Sequence, residues 1–319
     1  ANETYLYICI RRPDGYVSRP VEDPTKVFSM DTGNGSSTIP SYDSGFPVDF
    51  GIHRKNDATQ SWYTSARLIE GQYLVTDTPA TEVGVGVFPF DSNTGWAAAS
   101  NYNTDYVSWM WKRHAGMDVV TYDGSSASSL SIPHSLNAVP EMIFLKCRSE
   151  AEDWRVWHKG LNGGTNPQDY YLRLNATYAE ADAASNWNDT APTSTHFTVG
   201  NDGAVNNNNR TYLAMLFASV NGISKVGYFS GDGTSNREIT TGFQPRLLII
   251  RSVTSTASWS VIDTQRGWTN GGAQPVIDME SNSGQANRSN WFSRNSTSFT
   301  IVHSDFNDSS EKYIYYAHA

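Results

Sequence analysis

Thr4-Tyr5-Leu6 opens a short apolar run, and the same kind of run recurs at Asp105-Tyr106-Val107, at Thr211-Tyr212-Leu213 and at Lys312-Tyr313-Ile314. The tyrosines are separated by about 101, 106 and 101 residues, which is the signature of an internal repeat. Residues shared by all units are expected to serve a common fold. Residues held by one unit only are where a particular function can sit.

The composition predicts an all-β fold. The chain has 319 residues, 38% of them hydrophobic and 13% aromatic, and it contains 10 tryptophans, enough to fill a substantial core. Charged residues make up only 17%, while short apolar runs alternate with turns rich in Gly, Ser, Thr and Asn. Helical periodicity is absent. Strands of this spacing are typical of antiparallel sandwiches and jelly rolls.

The repeat divides the chain into four parts. Residues 1–24 contain an orphan strand at Tyr5 and a linker, and repeat units one, two and three occupy residues 25–116, 117–220 and 221–319. Unit one is the most divergent. Two arrangements fit three tandem sandwich units: an open row, or a ring closed with pseudo-three-fold symmetry. The orphan strand either closes such a ring by pairing with unit three or marks a chain cut from a longer polypeptide.

The net charge and the lack of long apolar runs exclude several classes of partner. The net charge is −9 and the pI is near 5.2, so a phosphate-binding surface is not expected and nucleic acid is excluded as a partner. The sequence offers no apolar run of roughly 20 residues, so we expect no membrane insertion. Cys9 and Cys147 each lie in a predicted strand and are interpreted as small buried hydrophobes.

Two motif strings carry a resemblance to a known family. Unit two has Val139-Pro140-Glu141-Met142 followed by Asp153-Trp154-Arg155-Val156, and unit three has Trp259-x-Val261-x-Asp263-Thr264-x-Arg266. These strings resemble a β module of roughly one hundred residues that is repeated in large virion proteins of marine tailed bacteriophages. The resemblance implies a structural or adhesive component of a tail fibre, a tail tip or the capsid surface, and therefore a virion or extracellular location. It supplies no catalytic residues.

Aromatic residues on loops of single units are the candidates for ligand binding. Trp96, Trp268 and Trp291 each lie in or next to a segment rich in Gly, Ser or Asn, where a ring is hard to bury. An exposed ring offers a flat face to a sugar or to a protein partner, and plain packing of the ring is the third alternative. Asp263 and Arg266 are placed to orient a sugar hydroxyl or a carboxylate, or else to tie a strand end to a turn.

We expect no cofactor, with calcium as the one alternative. Four oxygen-bearing side chains lie within seven residues, without the EF-hand spacing, and turn capping explains them equally well: Asp305, Asn307, Asp308 and Glu311. We also expect no enzyme activity. Glycoside hydrolysis needs two facing carboxylates, for which the sequence offers Asp278 with Glu280, or Glu150 with Glu152 and Asp153.

The sequence therefore predicts a non-enzymatic virion surface protein that assembles with other virion subunits as a homo-oligomer and attaches to a host-surface glycan. Two alternatives stay open. The first is a lectin-like, glycan-binding adhesin outside a virion, and the second is a polysaccharide depolymerase of a tailspike.

Overall fold

The computed structural model describes residues 23–84 and 86–319, and these form an almost entirely β structure. The prediction of an all-β fold is confirmed. Helical structure in the described residues is limited to α1 (Ala184–Trp187) and to short 3-10 helices at Pro24–Lys26, Arg67–Ile69, Leu161–Gly164, Pro167–Asp169 and Ser304–Phe306. The predicted strand at Tyr5 lies outside the described residues, as do Cys9 and most of the linker.

The described strands follow one another in three groups. Unit one contributes β1 (Phe28–Thr32), β2 (Tyr42–Asp43), β3 (Phe50–Lys55), β4 (Tyr63–Ala66), β5 (Gln72–Val75), β6 (Val83–Gly84), β7 (Gly95–Trp96) and β8 (Tyr106–Trp111). Unit two contributes β9 (Met117–Asp123), β10 (Leu130–Pro133), β11 (Met142–Cys147), β12 (Arg155–His158), β13 (Tyr170–Arg173), β14 (Ala181–Asp182), β15 (His196–Val199) and β16 (Thr211–Phe217). Unit three contributes β17 (Ser224–Ser230), β18 (Arg237–Thr240), β19 (Leu247–Ser252), β20 (Ser260–Asp263), β21 (Ala273–Asp278), β22 (Ala286–Ser289), β23 (Phe292–Arg294), β24 (Ser298–Ile301) and β25 (Lys312–His318).

Each group forms one six-stranded antiparallel sheet, and the three sheets have the same strand order. The orders are β1-β8-β3-β4-β5-β6, β9-β16-β11-β12-β13-β14 and β17-β25-β19-β20-β21-β22. A smaller sheet accompanies each one: β2-β7, β10-β15 and β18-β24-β23. The Tyr-led run is the second strand of every large sheet, so the sequence landmark that repeats is also the topological position that repeats.

The Tyr-led strand is continuously apolar because both of its faces are buried. In β8, Tyr106 and Met110 pack with Trp96 of the small sheet, whereas Trp109 and Trp111 point to the opposite side, into a core shared by all three units. Side chains of a strand alternate between its two faces, so a strand covered on both sides carries no polar alternation. The same division holds in β25, where tyrosines 313 and 315 face the small sheet and Tyr316 faces the shared core.

The shared core brings aromatic side chains from the three units together. The ring of Phe217 in unit two lies 6.3 Å from Trp111 of unit one and 5.1 Å from Tyr316 of unit three. The Trp111 Nε1 also donates a hydrogen bond to the Tyr316 hydroxyl at 3.3 Å. Unit one therefore contacts unit three directly, although a whole unit separates them in the chain.

Three equivalent tryptophans close the units into a ring. Each one directly precedes the fourth strand of its large sheet, is buried, and donates its indole N–H to a backbone carbonyl at the end of the fifth strand of another unit. All three hydrogen bonds measure 2.9 Å: Trp62 to Asp278, Trp154 to Val75, and Trp259 to Arg173. These bonds connect unit one to three, two to one and three to two. The arrangement is a closed cycle with pseudo-three-fold symmetry.

Backbone hydrogen bonds repeat the same cycle. In each unit the amide just before the sixth strand donates to the carbonyl just after the third strand of another unit, over 2.7–2.8 Å: Glu82 to Arg148, Glu180 to Val253, and Gln285 to Asn56. These contacts, like the tryptophan hydrogen bonds, close the ring within the described residues.

The third strand of each large sheet carries a buried cation. In units one and three this cation donates hydrogen bonds across a boundary between units, whereas in unit two it donates within its own unit. The Arg54 guanidinium lies 5.0 Å from the ring centroid of Trp62 and donates to several carbonyls at 281–283 of unit three. Arg251 repeats this over Trp259 at 4.8 Å, with the carbonyls at 176–178 of unit two. The equivalent position in unit two is Lys146, whose ammonium donates to its neighbour's carbonyl, that of Cys147, at 2.6 Å.

Candidate functional site

Two of the three predicted loop tryptophans are core residues. Trp96 is 0% exposed and donates its indole N–H to Ser108 Oγ at 2.9 Å, and Trp268 is 1% exposed within the core of unit three. The prediction that these two rings bind a ligand is wrong, and the alternative of plain packing describes them. The small sheet of each unit packs over the large one. An aromatic ring on a Gly-rich segment is therefore buried when it points into the space between the two sheets.

Asp263 and Arg266 form a buried ion pair at the boundary between units one and three. Arg266 Nε donates to Asp263 Oδ2 at 2.7 Å, and both side chains are at most 1% exposed. The same carboxylate oxygen accepts the indole N–H of Trp109, from unit one, at 3.1 Å. The prediction that this pair meets a ligand is wrong, and the alternative reading, a structural tie, describes it.

Trp291 is the one predicted site residue that lines an open cleft. The cleft, here called cleft A, has a volume of about 370 Å³ and lies in unit three between β21, β22 and the segment 304–306. Its lining combines the indole ring with hydroxyl and charged groups: Ser258, Ser260, Asp278, Arg288, Trp291 and Asp305. The lining is polar and apolar in equal measure, and the volume lies in the range of pockets that hold a small ligand.

The Trp291 ring is held in place by its surroundings. Gln274 Oε1 accepts the backbone N–H of Trp291 at 3.0 Å, and the Phe306 ring packs at a steep angle with centroids 5.2 Å apart. The Arg288 guanidinium carbon lies 4.9 Å from the indole centroid, a cation–π contact. The ring is therefore half-buried and positioned before a ligand arrives, which lowers the entropy cost of binding.

Asp278 carries a carboxyl group in cleft A whose pKa is well above its ordinary value. Its pKa is raised to about 6, first by burial and then by the negative charge of Glu280, while the hydrogen bond from Ser260 Oγ at 3.1 Å opposes the shift. Its backbone carbonyl is the acceptor of the Trp62 indole, so the closed ring fixes the strand end that carries this carboxyl. Glu280 is engaged elsewhere, because its Oε2 accepts the backbone N–H of Trp259 at 2.9 Å.

The polar residues of cleft A are specific to unit three. The strand pairing places Asp278 opposite Ser260, and the equivalent pairs are Val75 with Tyr63 in unit one and Arg173 with Arg155 in unit two. From the sequence, Asp278 was identified only as one member of a possible carboxylate pair. Nothing in the sequence placed it near Trp291, which lies 13 residues away. The polar residues at 278, 281 and 283 after a buried strand were the signal for this strand end, but nothing local linked them to the Trp291 loop.

A second cleft adjoins the first. Cleft B has a volume of about 460 Å³ and a polar lining that includes Ser255, Thr256, Asn307 and Asp308. Four residues line both clefts: Ser252, Ala257, Asp305 and Tyr313.

The predicted calcium ligands around cleft B are occupied as turn and loop supports. Asn307 Oδ1 accepts from Arg237 at 2.8 Å, Asp308 Oδ1 accepts the backbone N–H of Ser310 at 2.8 Å, and Glu311 accepts the Ser252 hydroxyl. Among the residues that the structure describes, no group of three or more His, Cys, Asp or Glu side chains is arranged to hold a metal ion.

Two of the other predicted carboxylates, Glu152 and Asp153, are held by ion pairs in unit two. Glu152 contacts Arg210 at 2.5 Å, and Asp153 contacts Arg173 at 3.2 Å.

Cys147 is fully buried in β11, as predicted. Within residues 23–84 and 86–319, no helix has the length and apolar character needed to span a bilayer.

Comparison with known proteins gives a family and no relative of known activity. No curated protein matches this chain, and no solved structure matches it. One family model matches residues 78–319, which is more than half of the chain and includes all of units two and three. The chain therefore belongs to the family described as Domain of unknown function (DUF7483).

Proposed function

We propose that this protein is a non-enzymatic structural and adhesive protein of a virion surface, and that cleft A of unit three binds a host-surface glycan. The observation that carries the glycan proposal is the meeting of the half-buried Trp291 ring with Asp278, Arg288 and serine hydroxyls in one open cleft. An indole ring can pack against the apolar face of a sugar, while hydroxyl, carboxylate and guanidinium groups hydrogen-bond its hydroxyls.

The contrast between residues shared by all units and residues specific to unit three supports the same proposal. The tryptophans common to all three units close the ring and are buried, so they are unavailable to a ligand. Cleft A uses residues that the other units replace, and its strand end is anchored across the boundary with unit one. A rigid ring holds the residues of such a site in a fixed geometry, which suits binding of a surface ligand.

A glycan array with Trp291→Ala tests this proposal. We expect the wild type to bind at least one class of glycan and the variant to lose most of that binding. Tyr178→Ala is the matched control, since it removes a 61% exposed ring from unit two and should bind as the wild type does. If no glycan is bound, or if both variants bind equally, the assignment to cleft A is wrong.

The virion assignment is supported by the resemblance of the motif strings in units two and three, and it has its own experiment. Mass spectrometry of purified particles should detect this chain, and light scattering of the purified protein should show a homo-oligomer. Absence from particles would favour the alternative of a glycan-binding adhesin outside a virion. A monomer at micromolar concentration that does not associate with particles would contradict the assembly role.

A polysaccharide depolymerase is the second candidate, and Asp278 is the observation that favours it. A carboxyl group whose pKa is raised to about 6 can act as a general acid near neutral pH. Asp305 lines the same cleft and offers a second carboxylate. Release of reducing ends from a bound polysaccharide, abolished in Asp278→Asn, would establish this activity, whereas binding without release supports the adhesive function.

A further inference from the structure

Clefts A and B are adjoining parts of one surface depression in unit three. They share four lining residues, of which Asp305 and Tyr313 come from the loop before β25 and from β25 itself. Each cleft, at about 370 and 460 Å³, lies separately in the size range of pockets that enclose a small ligand. A single sugar ring would therefore occupy only part of the available space.

The two clefts differ in the contacts that they offer. Cleft A provides the Trp291 and Phe306 rings, whereas the part of cleft B beyond the shared wall offers hydroxyl side chains such as Ser255, Thr256 and Ser309. A stacking platform followed by a polar track suits a chain of sugars: one ring is anchored on the aromatic surface and the next ones are hydrogen-bonded along the track.

The charges of the lining restrict the class of glycan. Four carboxylates line the two clefts, Asp278, Asp305, Asp308 and Glu311, against one cation, Arg288. A polyanionic glycan would place its carboxylate or sulfate groups near like charges, which disfavours binding. A neutral or amine-bearing sugar meets no such repulsion.

We infer that clefts A and B form one groove that binds a linear neutral or amine-bearing oligosaccharide, with one sugar against Trp291 and the following sugars along Thr256 and Ser309. The inference rests on the proposed glycan function and adds to it the length and the charge class of the ligand.

Calorimetric titration of the full chain with oligosaccharide series tests the groove. The probes are neutral cello- and chito-oligosaccharides, amine-bearing chitosan oligomers and anionic oligo-alginates, each from the monosaccharide to the hexasaccharide. For a neutral or amine-bearing series, we expect affinity to rise at least about tenfold between the disaccharide and the tetrasaccharide, which corresponds to about 1.4 kcal/mol. We expect weaker binding of every alginate.

Thr256→Trp separates the two clefts, because Thr256 is exposed and lines cleft B only. This variant should bind the disaccharide as the wild type does and lose the gain with chain length. Ser131→Trp places the same bulk at an exposed position of unit two and should keep the full gain. Melting curves of both variants establish that they are folded.

The outcomes that overturn the inference are distinct from those that overturn glycan binding. Affinity that does not depend on chain length, a gain that survives in Thr256→Trp, or tighter binding of alginates would each overturn the groove and leave a sugar site in cleft A. Absence of binding at every length, in all series, would overturn both the groove and the proposed function.

Discussion

Ring closure makes a prediction that an open row of units cannot share. The Trp62 indole connects unit one to unit three, so Trp62→Phe breaks a contact between units that a row would keep apart. Loss of the N–H leaves the Asp278 carbonyl without its partner, which costs about 1–3 kcal/mol. The smaller ring leaves a cavity that adds about 1 kcal/mol. We therefore expect the free energy of unfolding to fall by about 2–4 kcal/mol.

Equilibrium unfolding in urea measures this loss against two comparisons. Trp154→Phe breaks the equivalent bond between units two and one, and in a closed ring it should cost the same as Trp62→Phe within about 1 kcal/mol. Trp291→Phe changes a half-buried ring in cleft A and should cost less than about 1 kcal/mol. A Trp62→Phe variant as stable as the wild type, beside a destabilised Trp154→Phe, would refute ring closure.

Three further predictions concern buried charge and packing. Burial lowers the pKa of three histidines to about 3: His53, His158 and His318. The folded protein keeps them neutral while the unfolded chain binds protons below pH 6.5, so the unfolding free energy should fall by about 1.4 kcal/mol per pH unit for each histidine as the pH drops below 6.5. Urea unfolding at pH 7 and pH 5 checks this, and equal stability at the two values would contradict it. Burial likewise lowers the pKa of Lys146 to about 8, so the unfolded chain binds this proton more tightly and stability should rise between pH 8 and pH 10. Lys146→Met should remove that rise, and a rise that persists would assign it to another group. A Cβ at Gly51 would lie 2.5 Å from the Trp96 ring, so Gly51→Ala should lower the melting temperature through a cost of about 1–3 kcal/mol, whereas Gly71→Ala, with open space around it, tests the effect of backbone strain alone.

The repeated landmarks predicted the common architecture. The tyrosines at 106, 212 and 313 each lie in the second strand of a large sheet, and the tryptophans at 62, 154 and 259 each precede the fourth strand. Residues shared by all units were expected to serve the common fold, and the shared tryptophans are indeed buried at the boundaries between units. Repetition was informative here because the three large sheets have the same strand order, so the same residue types occupy equivalent packed positions in every unit.

The predictions of exposure were less successful, and the reason is geometric. Trp96 and Trp268 lie in segments that look like surface loops, yet both rings point into the space between the small and the large sheet. Only Trp291 lines an open cleft, although it comes from the same kind of segment. Loop composition describes the backbone that carries a ring, whereas burial depends on the sheet that covers it.

By itself, the sequence determined the β class, the repeat and the strands that recur, because these follow from local alternation of side chains and from residues common to the units. Only the tertiary structure decided that the row closes into a ring, that Asp263 and Arg266 tie units one and three together, and that Asp278 lies beside Trp291. Each of these depends on contacts between segments far apart in the chain, and a periodic pattern carries no information about which distant segment will lie opposite. Cleft A is therefore a product of the fold: the strand end at Asp278, which unit one contacts through Trp62, meets the loop of Trp291 and the segment before the last strand only in the folded protein.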